Sequence, residues 1–439
     1  MKQDVFANAS IFTPPEPESI DKIDINPFLI EGLILKSLCQ RSAMTGGEIA
    51  QELCLPYFNV IEPMIEQLRE ARLIEVLKGD LQSISYILSI TDAGRTRAAQ
   101  YFEQSTYVGP APVTLEAYIN AIKAQTIRSI QVNQRRLSQA FEGLIFDETI
   151  LEQVGPAINS GQSIFLYGPP GNGKTSISER IVEAFGGAIF IPYCIEINGA
   201  IIRLFDEYNH TPISPEEDTR LTQPYDQRWR LIKRPVIIVG GELTMNSLDL
   251  IWNPESRFYE APFQMKANGG AFMIDDFGRQ RMDPKDLLNR WIVPLEKKVD
   301  YLTLHSGTKI QVPFDQLIVI STNLDPQELV DEAFLRRIRY KIPIKDPTEG
   351  NFKKIWEIVS LAKNLPYSEE VVNYFIRKHL KPQNKPFRGC LPRDILELVV
   401  DNCRYRQIPH TITPQLIDEA AEAYFVKLDD RLKNIDIGE

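Results

Sequence analysis

The chain has 439 residues, 43% of them apolar and 25% charged, a balance ordinary for folded globular protein and too apolar for wholesale disorder. Its 49 Lys and Arg against 59 Asp and Glu leave a net charge of −10, which argues against a surface that binds polyanions all over. At about 100–200 residues per domain, two to four domains are expected.

The longest apolar runs, residues 236–239 and 317–320, are strand-sized and far short of the roughly 18–20 residues that a membrane span needs. Residues 1–19 carry acids and three prolines but no apolar core of a signal peptide, so a soluble, cytoplasmic protein is expected. The five cysteines form no CxxC pair and the four histidines lie far apart, so neither a zinc site nor a disulfide framework is expected.

Residues 1–24 are rich in Pro and acid and read as a flexible tail. Residues 25–104 hold a compact pattern. Leu29, Leu33, Leu35 and Leu38 recur at helical spacing over residues 27–39, and Thr45 with Glu48 has capping-box spacing before a short helix through Leu53. A third helix over residues 56–71 carries Val60, Met64, Ile65 and Leu68 inward. Residues 73–77 and 83–88 read as strands joined by the turn Lys78-Gly79-Asp80, and Thr91 caps the next helix.

Three helices and a hairpin in this order, with the exit Leu88 to Arg95, resemble a winged-helix domain. That resemblance raises DNA binding through the third helix. Residues 1–110 hold 9 basic and 15 acidic residues, and the third helix sets Glu62, Glu66 and Glu70 against Arg69 and Arg72. A phosphate-binding face must be basic, so protein docking is favoured over DNA.

Residues 105–128 read as a connector, 129–346 as alternating strands and helices of a parallel α/β domain, and 347–439 as a helical domain. The expected helices there cover residues 352–362, 369–379, 392–404 and 414–432. No internal repeat or low-complexity tract stands out.

The strongest chemical signal is Gly168-Pro169-Pro170-Gly171-Asn172-Gly173-Lys174-Thr175-Ser176, after an apolar strand at residues 164–167 and before a helix through Ala184. This is a P-loop in the setting that gives it meaning. Its glycines would let backbone N–H groups surround phosphate oxygens, Lys174 would neutralise the β- and γ-phosphates, and the Thr175 hydroxyl would ligate Mg²⁺. A hundred residues on, the apolar run Ala271-Phe272-Met273-Ile274 ends in Asp275-Asp276. As a Walker B element, Asp275 would hold the Mg²⁺ of ATP and Asp276 would polarise the attacking water. The run 317–322 then ends in Asn323, which could orient the same water.

P-loop, acidic strand end, strand ending in Asn, arginine cluster and helical lid, in this order over about residues 129–432, resemble the AAA+ ATPases. The resemblance implies a P-loop NTPase core built as an αβα sandwich on a parallel sheet, with a C-terminal helical lid beside the N-terminal winged helix. It implies the sensor-1 role for Asn323 and an arginine finger at Arg337, with Arg336 close behind, serving a neighbouring subunit's ATP. Arg393, in Leu391-Pro392-Arg393-Asp394, takes the sensor-2 role, and Leu144-Ile145 after Gly143 flank the adenine. A ring-shaped homo-oligomer, a hexamer by resemblance, follows from a finger acting in trans. An inserted hairpin read in residues 235–242 and 247–252, and a second in 299–304 and 308–312, are similar to MoxR-type ATPases and bacterial enhancer-binding activators. The activators' GAFTGA loop is absent, which leaves the MoxR-like group or an unassigned remodelling group.

The expected function is a Mg-dependent ATPase that remodels an unidentified protein client. The alternatives are an ATP-dependent DNA-binding regulator and a weakly hydrolysing nucleotide-gated scaffold. The family's second Walker B acid is Glu, whereas Asp276 is one methylene shorter, which makes slow turnover an expectation.

Overall fold

The computed structural model describes residues 12–79, 83–214, 224–329 and 335–425. A five-stranded, wholly parallel sheet forms its centre, in the spatial order Val236–Val239, Ala271–Ile274, Leu317–Thr322, Ile164–Tyr167, Tyr340–Pro343. The three inner strands are near-continuous buried runs because both faces are covered. Alternate residues point to opposite faces, so Ile164, Leu166, Met273 and Val319 join one core with helices Glu148–Ser160 and Lys174–Phe185. Phe165, Phe272, Ile274, Ile318 and Ile320 join a second core on the other face, around Trp291 of helix Pro284–Lys297. Helix, sheet and helix layers make the expected αβα sandwich.

Three strand assignments differ from the sequence reading. Val236–Val239 is no part of an inserted hairpin but the edge strand of the central sheet, paired in parallel with Ala271–Ile274. A short apolar run carries no signal that separates these two fates. Ala188–Pro192, read as the strand after the P-loop helix, leaves the sheet and pairs antiparallel with Trp229–Lys233. The expected second half of the hairpin, Ile251–Asn253, instead pairs with Phe258–Glu260 at the edge of a separate sheet. The hairpin of Val299–Thr303 and Lys309–Pro313 forms as expected around Ser306-Gly307.

That separate sheet runs Ile251–Asn253, Phe258–Glu260, Ala200–Arg203, Cys194–Ile197, Val113–Thr114. The connector thus supplies a strand as well as the helix Leu115–Ala124. Two residues of strand were too few to show alternation in the sequence.

At the N-terminus, helices Pro27–Arg41, Gly46–Leu53 and Glu62–Glu70 pack on an antiparallel sheet ordered Ala43–Thr45, Ile87–Ile90, Ile74–Lys78. The strand Ala43–Thr45 was not foreseen. The Thr45–Glu48 capping box is present, with Glu48 N–H donating to Thr45 Oγ1 at 3.1 Å and Thr45 N–H to Glu48 Oε2 at 2.6 Å. Thr91 caps Asp92–Gln104 through Gly94 N–H at 3.0 Å. The inward residues Leu33, Leu35, Leu38, Val60, Met64, Ile65 and Leu68 are buried, and Leu29 is half-buried. Their core continues into Tyr107, Ala111, Cys194 and Ile201, so this unit sits against the separate sheet. The Lys78-Gly79-Asp80 turn falls partly outside the described residues.

The 1–24 segment, expected to hang free, lies against the protein over residues 12–24. Phe12 meets Trp229 edge-on at 6.2 Å, Pro14 and Pro17 are buried, and Asp226 N–H donates to Pro14 O at 3.0 Å. Prolines suit such a packed, extended segment because they cost little conformational entropy to fix.

Helices Glu349–Ala362, Glu369–Phe375, Leu391–Tyr405 and Pro414–Tyr424 form the C-terminal unit around Phe352, Trp356, Phe375 and Val399. Residues 426–432 of the expected last helix lie outside the described residues. Among the described residues no helix is long and apolar enough to cross a membrane.

Candidate functional site

The parallel register places the ends of three adjacent strands side by side, since Ile274 lies opposite Ile320 and Ile320 opposite Phe165. The residues that follow each strand therefore converge at the C-terminal end of the sheet's three inner strands. Strand Ile164–Tyr167 runs into the loop 168–173, whose last glycine, Gly173, caps the helix Lys174–Phe185. Gly168 sits at φ +140, where a Cβ would stand 2.2 Å from Ile344 O, so backbone passes backbone too closely for any side chain. Gly171, at φ +80, lies under Cys390 of the C-terminal unit, whose Sγ would be 2.5 Å from a Cβ there. The helix N-terminus turns unpaired N–H groups and the positive end of its dipole toward the loop.

Lys174 is 6% exposed and its Nζ donates to Gly168 O at 2.9 Å, Pro169 O at 2.9 Å and Asn323 Oδ1 at 2.6 Å. Asn323 Nδ2 in turn donates to Asp276 Oδ1 at 2.8 Å, so ammonium, amide and carboxylate form one chain. Burial draws the Lys174 ammonium below the usual lysine range, and the carboxylates of Asp275 and Asp276 pull it back. Thr175 Oγ1 donates to Asp275 Oδ2 at 2.7 Å, while Ser321 Oγ donates to Asp275 Oδ1 at 2.7 Å. Thr175 and Asp275 thus bring hard oxygen donors together where Mg²⁺ would sit, a donor chemistry that fits this ion. Asp276 is exposed and has φ +49, a left-handed conformation that Asp tolerates better than most residues.

Beside this cluster opens a cavity of about 520 Å³. Its walls include Pro170 to Ser176 of the loop, Asp275, Asp276 and Asn323. Leu144, Ile145 and Phe146 line it. Ile355, Ile358 and Val359 of helix Glu349–Ala362, which the sequence reading missed, also line it. Their i, i+3, i+4 spacing marks an apolar helix face but does not separate a ligand slot from ordinary core. An apolar slot beside polar groups at one end suits a ligand with a flat ring and an anionic tail.

Arg393 also lines the cavity, with Nε donating to Asp394 Oδ1 at 3.0 Å. Arg336 and Arg337 do not line it. Arg337 Nε donates to Glu296 Oε1 at 2.7 Å, on the helix Pro284–Lys297, and Arg336 is exposed.

A second set of contacts was not foreseen. Asp346 Oδ1 accepts from Asn172 Nδ2 at 2.7 Å and from Arg388 Nη1 at 2.7 Å, and Gly389 N–H donates to Asn172 Oδ1 at 3.0 Å. The C-terminal unit is thereby clasped to the phosphate-type loop itself. No local sequence pattern links positions 172, 346 and 388.

Residues 348–423 match a family described as a domain of unknown function (DUF8689), which covers the C-terminal unit alone. No curated protein matches the chain. Among solved structures, the chain is similar to the RuvB Holliday junction branch migration motor of Thermotoga maritima, at 12% identity over 64% of this chain and 71% of that chain, with a TM-score of 0.37. It is also similar to NtrX from Brucella abortus in complex with ATP, at 13% identity over 68% of this chain and 63% of that chain, with a TM-score of 0.40.

Proposed function

We propose that this chain is an ATPase of the AAA+ type that hydrolyses Mg·ATP at the C-terminal end of its parallel sheet. The observation that carries the reading is the convergence of Lys174, Thr175, Asp275, Asp276 and Asn323, at 2.6–2.8 Å from one another along two hydrogen-bonded paths, beside a cavity of about 520 Å³. The loop N–H groups and Lys174 bind the phosphates, and the apolar slot around Leu144, Ile145 and Ile358 takes the base. Thr175 and Asp275 would hold Mg²⁺, which would supply charge neutralisation to the phosphates. Asp276 accepts a proton from the attacking water or orients it, and Asn323 fixes the carboxylate for that task. Arg393, on the cavity wall, approaches the γ-phosphate from the C-terminal unit.

Arg337 lies outside its own cavity, which suits a finger offered to a neighbouring subunit in a ring. Residues 25–104 act in this reading as a winged-helix adaptor, 129–346 as the nucleotide-binding domain and 347–439 as its lid. The hairpin Val299–Pro313 supports a reading as a MoxR-like remodelling ATPase whose client is a protein or protein complex. The excess of acid on the adaptor supports protein over DNA as that module's partner.

The test is release of phosphate from Mg·ATP by the full chain, with Lys174→Ala as the control that must abolish it. The clasp gives a subtler check. Asp346→Ala leaves Asn172 and Arg388 without their shared acceptor, and is expected to weaken ATP binding about tenfold, measured by titration calorimetry. An unchanged affinity would show that the clasp does not shape the loop.

A further inference from the structure

The segment after strand Ala271–Ile274 makes an uncommon turn. Asp276 has φ +49 and Gly278 φ +102, and a Cβ on Gly278 would stand 2.7 Å from Leu329 Cδ2. The inner side of this turn is tied to the neighbouring strand. Phe277 N–H donates to Ser321 O at 2.7 Å and Thr322 Oγ1 donates to Phe277 O at 2.7 Å. Its outer side is tied by one side chain. Gln280 Nε2 donates to Asp275 O at 3.1 Å and to Asp276 O at 3.2 Å, while Gly278 N–H donates to Gln280 Oε1 at 2.8 Å. Arg279 N–H adds a further bond to Asp276 O at 3.0 Å.

A single amide therefore spans the peptide units on both sides of Asp276. These peptide units set the direction in which the Asp276 carboxylate leaves the backbone. Asp276 is also exposed, so apart from Asn323 little packing holds it. The side chain is shorter than the glutamate of the AAA+ pattern, so a small rotation of the turn moves the carboxylate by a large share of its reach. We infer that Gln280 is a positioning residue for hydrolysis, which holds the left-handed turn so that Asp276 meets the attacking water. This inference rests on the hydrolytic reading of the site. Gln280 does not line the cavity and acts only through Asp276.

The bland alternative is a glutamine that merely closes a surface turn. Two features separate the roles. A positioning role lowers kcat and leaves the KM for ATP and the melting temperature alone, because the loop and slot that bind ATP are not involved. It also vanishes once Asp276 has lost its function, because coupled residues are not additive.

The experiment measures steady-state hydrolysis of Mg·ATP by the full chain for Gln280→Ala and Gln280→Glu, alone and combined with Asp276→Asn. Gln280→Glu keeps the acceptor for Gly278 N–H but sets an oxygen against two carbonyls. Each single variant is expected to lower kcat about tenfold with KM within about twofold, the scale of two lost hydrogen bonds at an oriented group. In the Asp276→Asn background neither should lower the residual rate further. Unchanged kcat in both single variants overturns the inference, and so does an additive loss in the double variants or a fall that follows the melting temperature. A wild-type chain without hydrolysis that Lys174→Ala abolishes overturns the hydrolytic reading itself, and this inference with it. Wild-type hydrolysis with silent Gln280 variants overturns this inference alone.

Discussion

Lys174→Ala is expected to remove hydrolysis and to weaken ATP binding by roughly 10²–10³-fold, the scale on which a charge-assisted contact to phosphate acts in a desolvated site. The Lys174 ammonium is almost fully buried, and this desolvation, already present in the free protein, draws its pKa below the usual lysine range. Its three acceptors, Gly168 O, Pro169 O and Asn323 Oδ1, hold it at the mouth of the loop. A γ-phosphate entering the cavity would take over these bonds with a stronger, charged acceptor. The fold should survive the substitution, because the helix Lys174–Phe185 is anchored by Ile177, Ile181 and Phe185 in the sheet core. Phosphate release, fluorescent-nucleotide titration and a thermal melt measured together check this. Retained turnover in Lys174→Ala would remove the P-loop from the chemistry.

Arg337→Ala should cost about 10³-fold in kcat at protein concentrations where the chain is assembled, the lower end of what an arginine finger supplies. The side chain is held by Glu296 and stands outside its own cavity, so an effect on turnover would have to be exerted on another copy. Specific activity of the wild type should then rise with protein concentration. A mixture gives the cleanest reading. Lys174→Ala keeps a finger but no working site, and Arg337→Ala keeps a site but no finger, so the two inactive proteins together should recover activity. Additive silence in the mixture, or a wild-type rate per molecule that stays flat down to the monomer, would contradict a shared site. Arg336→Ala, one position away and exposed, separates the two candidates for the finger.

The sequence was most informative where chemistry and backbone geometry are encoded within a few neighbours. Gly168 to Thr175 stand between a strand and a helix because the glycines tolerate φ values of +140, +80 and +79 that other residues resist. Asp275 and Asn323 end apolar runs, and parallel register alone then brings them to the same end of the sheet as Lys174. Strand membership was less legible. Ala188–Pro192 and Val236–Val239 are both short apolar runs after the P-loop helix, and only long-range pairing decides which of them enters the central sheet. The N-terminal segment was misread because Pro- and acid-rich composition describes a free tail and a packed extended strap equally well. Asn172, Asp346 and Arg388 were invisible for a different reason. Their bonds cross between the loop, the exit from the last sheet strand and the C-terminal unit, and no period or motif relates those positions. Gln280 shows the same limit at short range, since a glutamine two residues past a glycine turn has no signature until the turn's dihedrals are known.

The most direct test of Asp276 as the hydrolytic carboxylate is a side-by-side measurement of ATP binding and phosphate release for the wild type and Asp276→Asn. Asparagine tolerates the left-handed backbone at this position and can keep a hydrogen bond to Asn323, so the variant should fold and bind as the wild type does. It lacks only the negative charge. Hydrolysis should fall about 10²–10³-fold, within the range for loss of a positioned general base, while the affinity for ATP stays within about threefold. Equal turnover by the two proteins, or no ATP binding by either, would contradict the role assigned to this site.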